Sequence, residues 1–177
     1  MTDSEPPGTG PRLYQVPAGD DRERLTCPEC GFVAYENPRI VVGVVARAED
    51  ERILLCRRAI PPRIGYWTLP AGYMELNETA EAGACREAWE EARAQLELTG
   101  LLAVYSLATI HQVQLIYRAV LTDGHVEAGP ESQSVGLFHY DELPWDELAF
   151  PTVEWALRQD HQAHMEGHGQ AFANPQQ

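Results

Sequence analysis

Six glutamates stand within the seventeen positions from Glu75 to Glu91, and three of them, Glu87, Glu90 and Glu91, fall at i, i+3 and i+4. A helix at that spacing brings all three carboxylates onto about 100° of one face. Like charges so placed destabilise an isolated helix by roughly 0.2–0.5 kcal/mol each. Only Arg86 and Arg93 lie close enough along the chain to offset any of it. An acidic helix face is ordinarily a solvated face. The alternative is a hard divalent cation: Mg²⁺ takes oxygen ligands and keeps several waters, so short-tethered carboxylates suit it without closing a cage. Glu87, Glu90 and Glu91 are therefore candidate ligands for Mg²⁺, or for Mn²⁺ in its place. Just upstream, Ala71-Gly72 lets the backbone approach a ligand closely, so a main-chain carbonyl there can join the shell.

The helix that carries these side chains needs a start and a buried back. Thr79 is the expected N-cap, with Glu81 in the first turn favouring the dipole. Ala80, Ala84, Ala88 and Ala92 recur every four residues, a small-residue ridge that permits close packing on a sheet. Residues 40–47 (IVVGVVAR) and 52–58 (RILLCRR) read as a hairpin of strands, apolar enough to be covered on both faces. Residues 101–110 and 113–121 read as two more strands and 135–139 as a short last one. Pro151 opens a final helix that ends before Gly167, with His161, His164 and His168 near one solvent-facing side. Together these elements specify an α/β fold with one principal core. Residues 1–12 and 169–177 read as loose tails.

Bulk composition narrows the function. A chain of 177 residues, 44% hydrophobic, builds one full-sized core. Against 27 acidic residues stand 13 Lys and Arg, a formal charge of −14, which repels polyphosphate backbones and argues against a nucleic-acid partner. A small anionic substrate then needs a bound cation. No run of eighteen apolar residues appears, and the N-terminus has neither a basic nor an apolar leader region, so no membrane partner and a cytoplasmic location are expected. The four cysteines make no disulfide framework. Cys27-Pro28-Glu29-Cys30-Gly31 is a C-x2-C knuckle with glycine at the tight turn, which is half of a four-ligand Zn²⁺ site; the second pair is absent.

Gly72, five residues, Glu78, seven residues, then Arg86-Glu87-Ala88-Trp89-Glu90-Glu91-Ala92-Arg93-Ala94 resembles the Nudix box, G-x5-E-x7-R-E-U-x-E-E-x-G-U, with U a bulky aliphatic. Every charged position is filled. Ala88 and Ala94 are small for U, and Arg93 stands where the family has glycine. The stretches CPECGFVAYENPRIVVGVV, LLCRR and GYWTLPAGYME are similar to Nudix hydrolases with a small N-terminal zinc ribbon, including plant FAD diphosphatases and their bacterial relatives.

The resemblance implies a Nudix-type α/β/α sandwich with a mixed sheet over residues 39–168, preceded by a ribbon-like segment over residues 13–38. It implies hydrolysis of a nucleoside diphosphate linked to another moiety, FAD or ADP-ribose, to AMP plus a phosphorylated product. The partner is then a nucleotide-sugar or dinucleotide. NADH pyrophosphatase activity is the alternative within enzymes, and an inactive nucleotide-binding sensor on the same fold is the alternative outside them. Glu87, Glu90 and Glu91 would hold the metal, Glu78 would support Arg86, and Arg86 would orient the carboxylates. The general base would be a box glutamate or Glu131, the acid of the Gly129-Pro130-Glu131-Ser132 turn. In these relatives an earlier C-x2-C completes the zinc site, whereas this chain has Pro11-Arg12-Leu13-Tyr14 there. Cys27 and Cys30 then belong to a metal-free remnant, to a reactive thiol pair, or to a site shared 2+2 across a homodimer.

Overall fold

The computed structural model describes residues 9–167 and 169–175, and His168 lies outside them. Two compact units divide the chain, residues 1–37 and residues 38–177. In the first, β1 (Leu13–Gln15), β2 (Arg24–Thr26) and β3 (Val33–Ala34) form an antiparallel sheet in the order β1-β2-β3. The turn from β2 to β3 is the cysteine knuckle. Cys27 N–H donates to the Phe32 carbonyl at 2.8 Å and Gly31 N–H to the Cys27 carbonyl at 2.9 Å, with Gly31 at φ 72° where a Cβ would be strained. The reading of residues 1–12 as a tail is corrected at Arg12, whose N–H donates to the Thr26 carbonyl at 2.9 Å. Residues 1–8 lie outside the described residues.

In the second unit, β4 (Arg39–Arg47), β5 (Ile53–Arg58), β8 (Leu96–Leu107), β9 (Gln112–Leu121) and β10 (Ser132–Phe138) run in the order β10-β5-β4-β9-β8. β4 and β9 are parallel and the other pairs antiparallel, so the sheet is mixed. Period-two alternation sends Val42, Val44 and Ala46 to one face and Val45 to the other. The first face is covered by α1 (Ala80–Ala92) through Ala84, Ala88 and Ala92, the second by α2 (Pro151–Glu166) through Val153, Ala156 and Leu157. This is the expected α/β/α arrangement.

Several details differ from the sequence reading. The β4–β5 hairpin pairs only at Arg47 and Ile53; beyond that the strands part, and β6 (Trp67–Thr68) and β7 (Ala71–Tyr73) pair with β5 and β4 respectively. A Cβ on Gly43 would lie 2.6 Å from the Ala71 Cβ, so glycine on β4 is what admits β7. β8 begins at Leu96 rather than at 101, continuing through register shifts around Gly100 that interrupt its apolar pattern. The C-terminal segment is not a loose tail: Phe172 N–H donates to the Leu102 carbonyl at 2.8 Å, and Val104 N–H to the Phe172 carbonyl at 2.9 Å, so it pairs with the edge of β8. His161 is half-buried and stacks on Tyr140, ring centroids 3.7 Å apart, while His164 is exposed. No helix among the described residues is long and apolar enough to cross a membrane.

Candidate active site

α1 starts where its sequence says it should. Thr79 is extended, at φ −82° and ψ 160°, and its hydroxyl accepts from Ala82 N–H at 3.1 Å. The helix closes at Arg93 in the left-handed region, φ 52° and ψ 20°, where its N–H meets the Ala88 and Trp89 carbonyls. Glu87 and Glu91 are buried and Glu90 is exposed, so the three carboxylates of one stripe occupy different dielectric environments.

Gly72 on β7 explains how a buried carboxylate fits. A Cβ there would sit 2.3 Å from Glu87 Oε1, so glycine lets the strand lie against this side chain as it stands. Next to it, Ala71 N–H donates to Glu91 Oε2 at 3.3 Å. Burial, reinforced by the Glu87 charge, pushes the Glu91 carboxyl up to about 8. Burial raises Glu87 as well, against the opposing pull of Arg86.

Arg86 gathers the remaining acids. Its Nε and Nη2 donate to Glu78 Oε2 and Oε1 at 3.0 and 2.8 Å, a bidentate pair. Its Nη1 donates to Glu87 Oε1 at 2.7 Å and to Glu90 Oε2 at 3.0 Å, and Nη2 also reaches the Tyr73 carbonyl at 3.1 Å. The guanidinium holds the Glu78 carboxyl down at about 2. Among the described residues no three His, Cys, Asp or Glu side chains converge as a ready-made metal shell, since Arg86 draws Glu87 and Glu90 to itself.

Glu131 reaches this region through the loop after β9. Glu127 N–H and Gly129 N–H donate to the Ala92 and Glu91 carbonyls at 2.8 and 2.9 Å, satisfying the open C-terminal end of α1. A Cβ on Gly129 would fall 1.7 Å from the Glu90 carbonyl oxygen, so the loop lies flush on the helix. Glu131 is exposed and lines the same cleft as Gly72, Arg86, Glu87, Glu90 and Glu91. That cleft has a volume of about 1020 Å³. Sequence reasoning assigned no part in it to Arg58, Tyr73, Phe150 or Trp155, which also line it. The doubled arginine of CRR was a signal for Arg58, whose Nε is held by the Pro62 carbonyl at 2.7 Å and whose guanidinium lies over the Phe150 ring. A second cavity, about 560 Å³ beside the Arg47–Asp160 ion pair, contains none of the α1 carboxylates.

The NUDIX domain model matches residues 37–158. This chain belongs to the Nudix family. The Nudix N-terminal zinc-ribbon model matches residues 9–36. A MutT-like protein of Streptomyces ambofaciens is 41% identical over 103 residues, covering 58% of this chain and 64% of that one. An ADP-ribose pyrophosphatase of Methanocaldococcus jannaschii is 31% identical over 121 residues, covering 66% of this chain and 69% of that one. A crystal structure of a Nudix hydrolase from Nitrosomonas europaea superposes with TM-score 0.86 at 41% identity, covering 91% of this chain and 92% of that one. The Nudix box is thus the segment from β7 through α1.

The donor chemistry of the two expected metals differs in fit. The carboxylates of α1 and the close Gly72 backbone are an oxygen donor set, and the buried Glu91 lacks the charge compensation that Glu78 has, which suits a hard divalent cation. Zinc does not fit the ribbon. Residues 9–36 contain two thiols and no histidine, and a structural site takes four ligands.

Proposed function

We propose that this chain is a divalent-cation-dependent pyrophosphohydrolase that splits the diphosphate of a nucleoside diphosphate linked to a second moiety, with ADP-ribose and FAD as the candidate substrates and AMP as the common product. The observation that carries the reading is the buried Glu91 beside Glu87, pressed against Gly72 in a cleft of about 1020 Å³. Such a volume is at the upper end of small-molecule sites, enough for a dinucleotide-sized ligand. Tyr73, Phe150 and Trp155 supply flat apolar surface for a base or an isoalloxazine ring. The relative named as an ADP-ribose pyrophosphatase supports that substrate class.

Glu87, Glu90 and Glu91, with the Gly72 main-chain carbonyl, would hold Mg²⁺ or Mn²⁺, which when bound neutralises diphosphate charge and acidifies the attacking water. Glu78 fixes Arg86, and Arg86 in turn sets the orientation of Glu87 and Glu90. Arg58 adds a positive charge to the cleft wall. The proton leaving the water falls to Glu90, Glu91 or the loop acid Glu131. Incubation with ADP-ribose, FAD and NADH in the presence of Mg²⁺, followed by chromatography for AMP, tests the proposal. AMP is expected from ADP-ribose or FAD and none after EDTA. Much faster turnover of dGTP or a diadenosine polyphosphate would overturn the substrate class, and absence of any hydrolysis would overturn the enzyme reading.

A further inference from the structure

The N-terminal unit is built like a metal knuckle yet cannot close a metal site within the chain. Cys27 and Cys30 stand at i and i+3 of one tight turn, closed by Cys27 N–H donating to the Phe32 carbonyl and Gly31 N–H to the Cys27 carbonyl. This is the arrangement that would present two thiolates to zinc. The remaining ligands are missing, and a different cross-link holds the same place: Arg12 forks onto Glu29, with Nη1 to Oε2 at 2.8 Å and a second contact from Nη2 to Oε1. Glu29 stands between the two cysteines, and Cys27 donates its S–H to Glu29 Oε2 at 3.1 Å. An ion pair therefore spans the ribbon where a metal would otherwise tie it, and both thiols are left in the free form.

We propose that Cys27 and Cys30 form a redox modification site, a dithiol that closes to an intramolecular disulfide on meeting a small-molecule disulfide. Cys30 is exposed and is the sulfur that reaches the oxidant; Cys27 is buried beneath it. The Cys30 thiolate attacks one sulfur of RS–SR, forming a mixed disulfide and releasing RS⁻, which takes up the proton Cys30 lost. The Cys27 sulfur then attacks the Cys30 sulfur, expelling the second RS⁻, and the Cys27 proton passes through solvent to it. The net change is two thiols and one RS–SR converted to one ring disulfide and two RSH. The turn already brings positions 27 and 30 together, so ring closure needs little backbone movement. The other two cysteines offer no such pair: Cys56 is buried on β5 and Cys85 is half-buried on α1.

The test uses the full chain purified under nitrogen, assayed first for zinc and then treated with oxidised glutathione, alkylated and mapped by mass spectrometry. Wild type is expected to hold well under one zinc per chain. It should lose both alkylatable thiols of the knuckle peptide with no glutathione retained, and regain them with dithiothreitol. The Cys27→Ser variant, which cannot close the ring, should instead keep one glutathione on Cys30. A full equivalent of zinc per chain, or a half equivalent from a site shared between two copies, would overturn the proposal. So would a glutathione adduct that persists on wild type, or knuckle thiols that stay alkylatable after treatment.

Discussion

Glu91 concentrates the tension between folding and function in one side chain. It is 6% exposed and its carboxyl is pushed up to about 8 from an ordinary value of 4.5. A group whose folded pKa is raised gives its full stability below the unfolded value and loses it as pH climbs through the folded one. In EDTA the wild type should therefore lose stability between about pH 4.5 and pH 8. The loss should be on the order of a few kcal/mol, since each tenfold change in proton affinity is worth about 1.36 kcal/mol. Glu91→Gln removes the charge, so the melting-temperature difference, Gln minus Glu, should grow in favour of Gln over the same range. Millimolar Mg²⁺ should then raise the wild-type melting temperature more than that of the variant, because binding to the native state alone stabilises by RT ln(1 + [L]/Kd). AMP release by Glu91→Gln should fall. A pH-independent difference in EDTA, with an unchanged Mg²⁺ shift, would take Glu91 out of the cation site.

At the scale of elements, the end of α1 is where this chain departs from its family pattern. Arg93 occupies the position where the Nudix box has glycine and adopts φ 52°. The left-handed conformation costs a residue with a Cβ roughly 1–2 kcal/mol. Part of that is returned locally: the Arg93 guanidinium lies 5.7 Å over the Trp89 ring, and its Nη1 donates to the Trp89 carbonyl at 3.3 Å. Arg93→Gly should raise the melting temperature, by less than the full conformational term because these contacts go with the side chain. Thermal melts of wild type and variant check it, and a fall would mean the Trp89 contacts outweigh the strain. The same helix end receives the loop that carries Glu131, so its geometry bears on the cleft as well as on stability.

At the scale of the whole molecule, residues 172–174 bind the second unit along the edge of its sheet. Residues 172–174 pair with the edge of β8: Ser106 N–H donates to Asn174 Oδ1 at 2.8 Å, and Asn174 Nδ2 returns a bond to the Ser106 carbonyl at 2.9 Å. Gln159 on α2 donates to the Ala173 carbonyl at 3.0 Å, which ties the segment to the helix. Phe172 packs against the core beneath α2. Covering the outer edge of β8 removes a row of unpaired donors and acceptors that would otherwise template aggregation. Phe172→Ala should lower stability by about 1–2 kcal/mol, less than a fully buried phenylalanine because the ring is only partly enclosed. Urea unfolding measures this, and an unchanged midpoint would mean the segment contributes nothing to the fold.

Local chemistry was legible without any tertiary information. The i, i+3, i+4 spacing put three carboxylates on one helix stripe, Thr79 marked the cap, the four-residue alanine repeat marked the buried back, and a C-x2-C without its second pair marked half of a zinc site. Each of these depends on residues within a few positions of one another, where the 3.6-residue period and ligand spacing act directly. What only the tertiary structure decided was how those groups are solvated and which distant segments join them. Glu91 is buried and Glu90 exposed because β7 enters between the parted strands β4 and β5, an arrangement Gly43 and Gly72 permit but no periodicity announces. Glu131 reaches the cleft because the loop after β9 satisfies the carbonyls at the end of α1. Arg58 and Trp155 line the same cleft from positions nearly a hundred residues apart. Desolvation and long-range backbone pairing are set by partners far away in sequence, and they leave no local trace in the order of the residues.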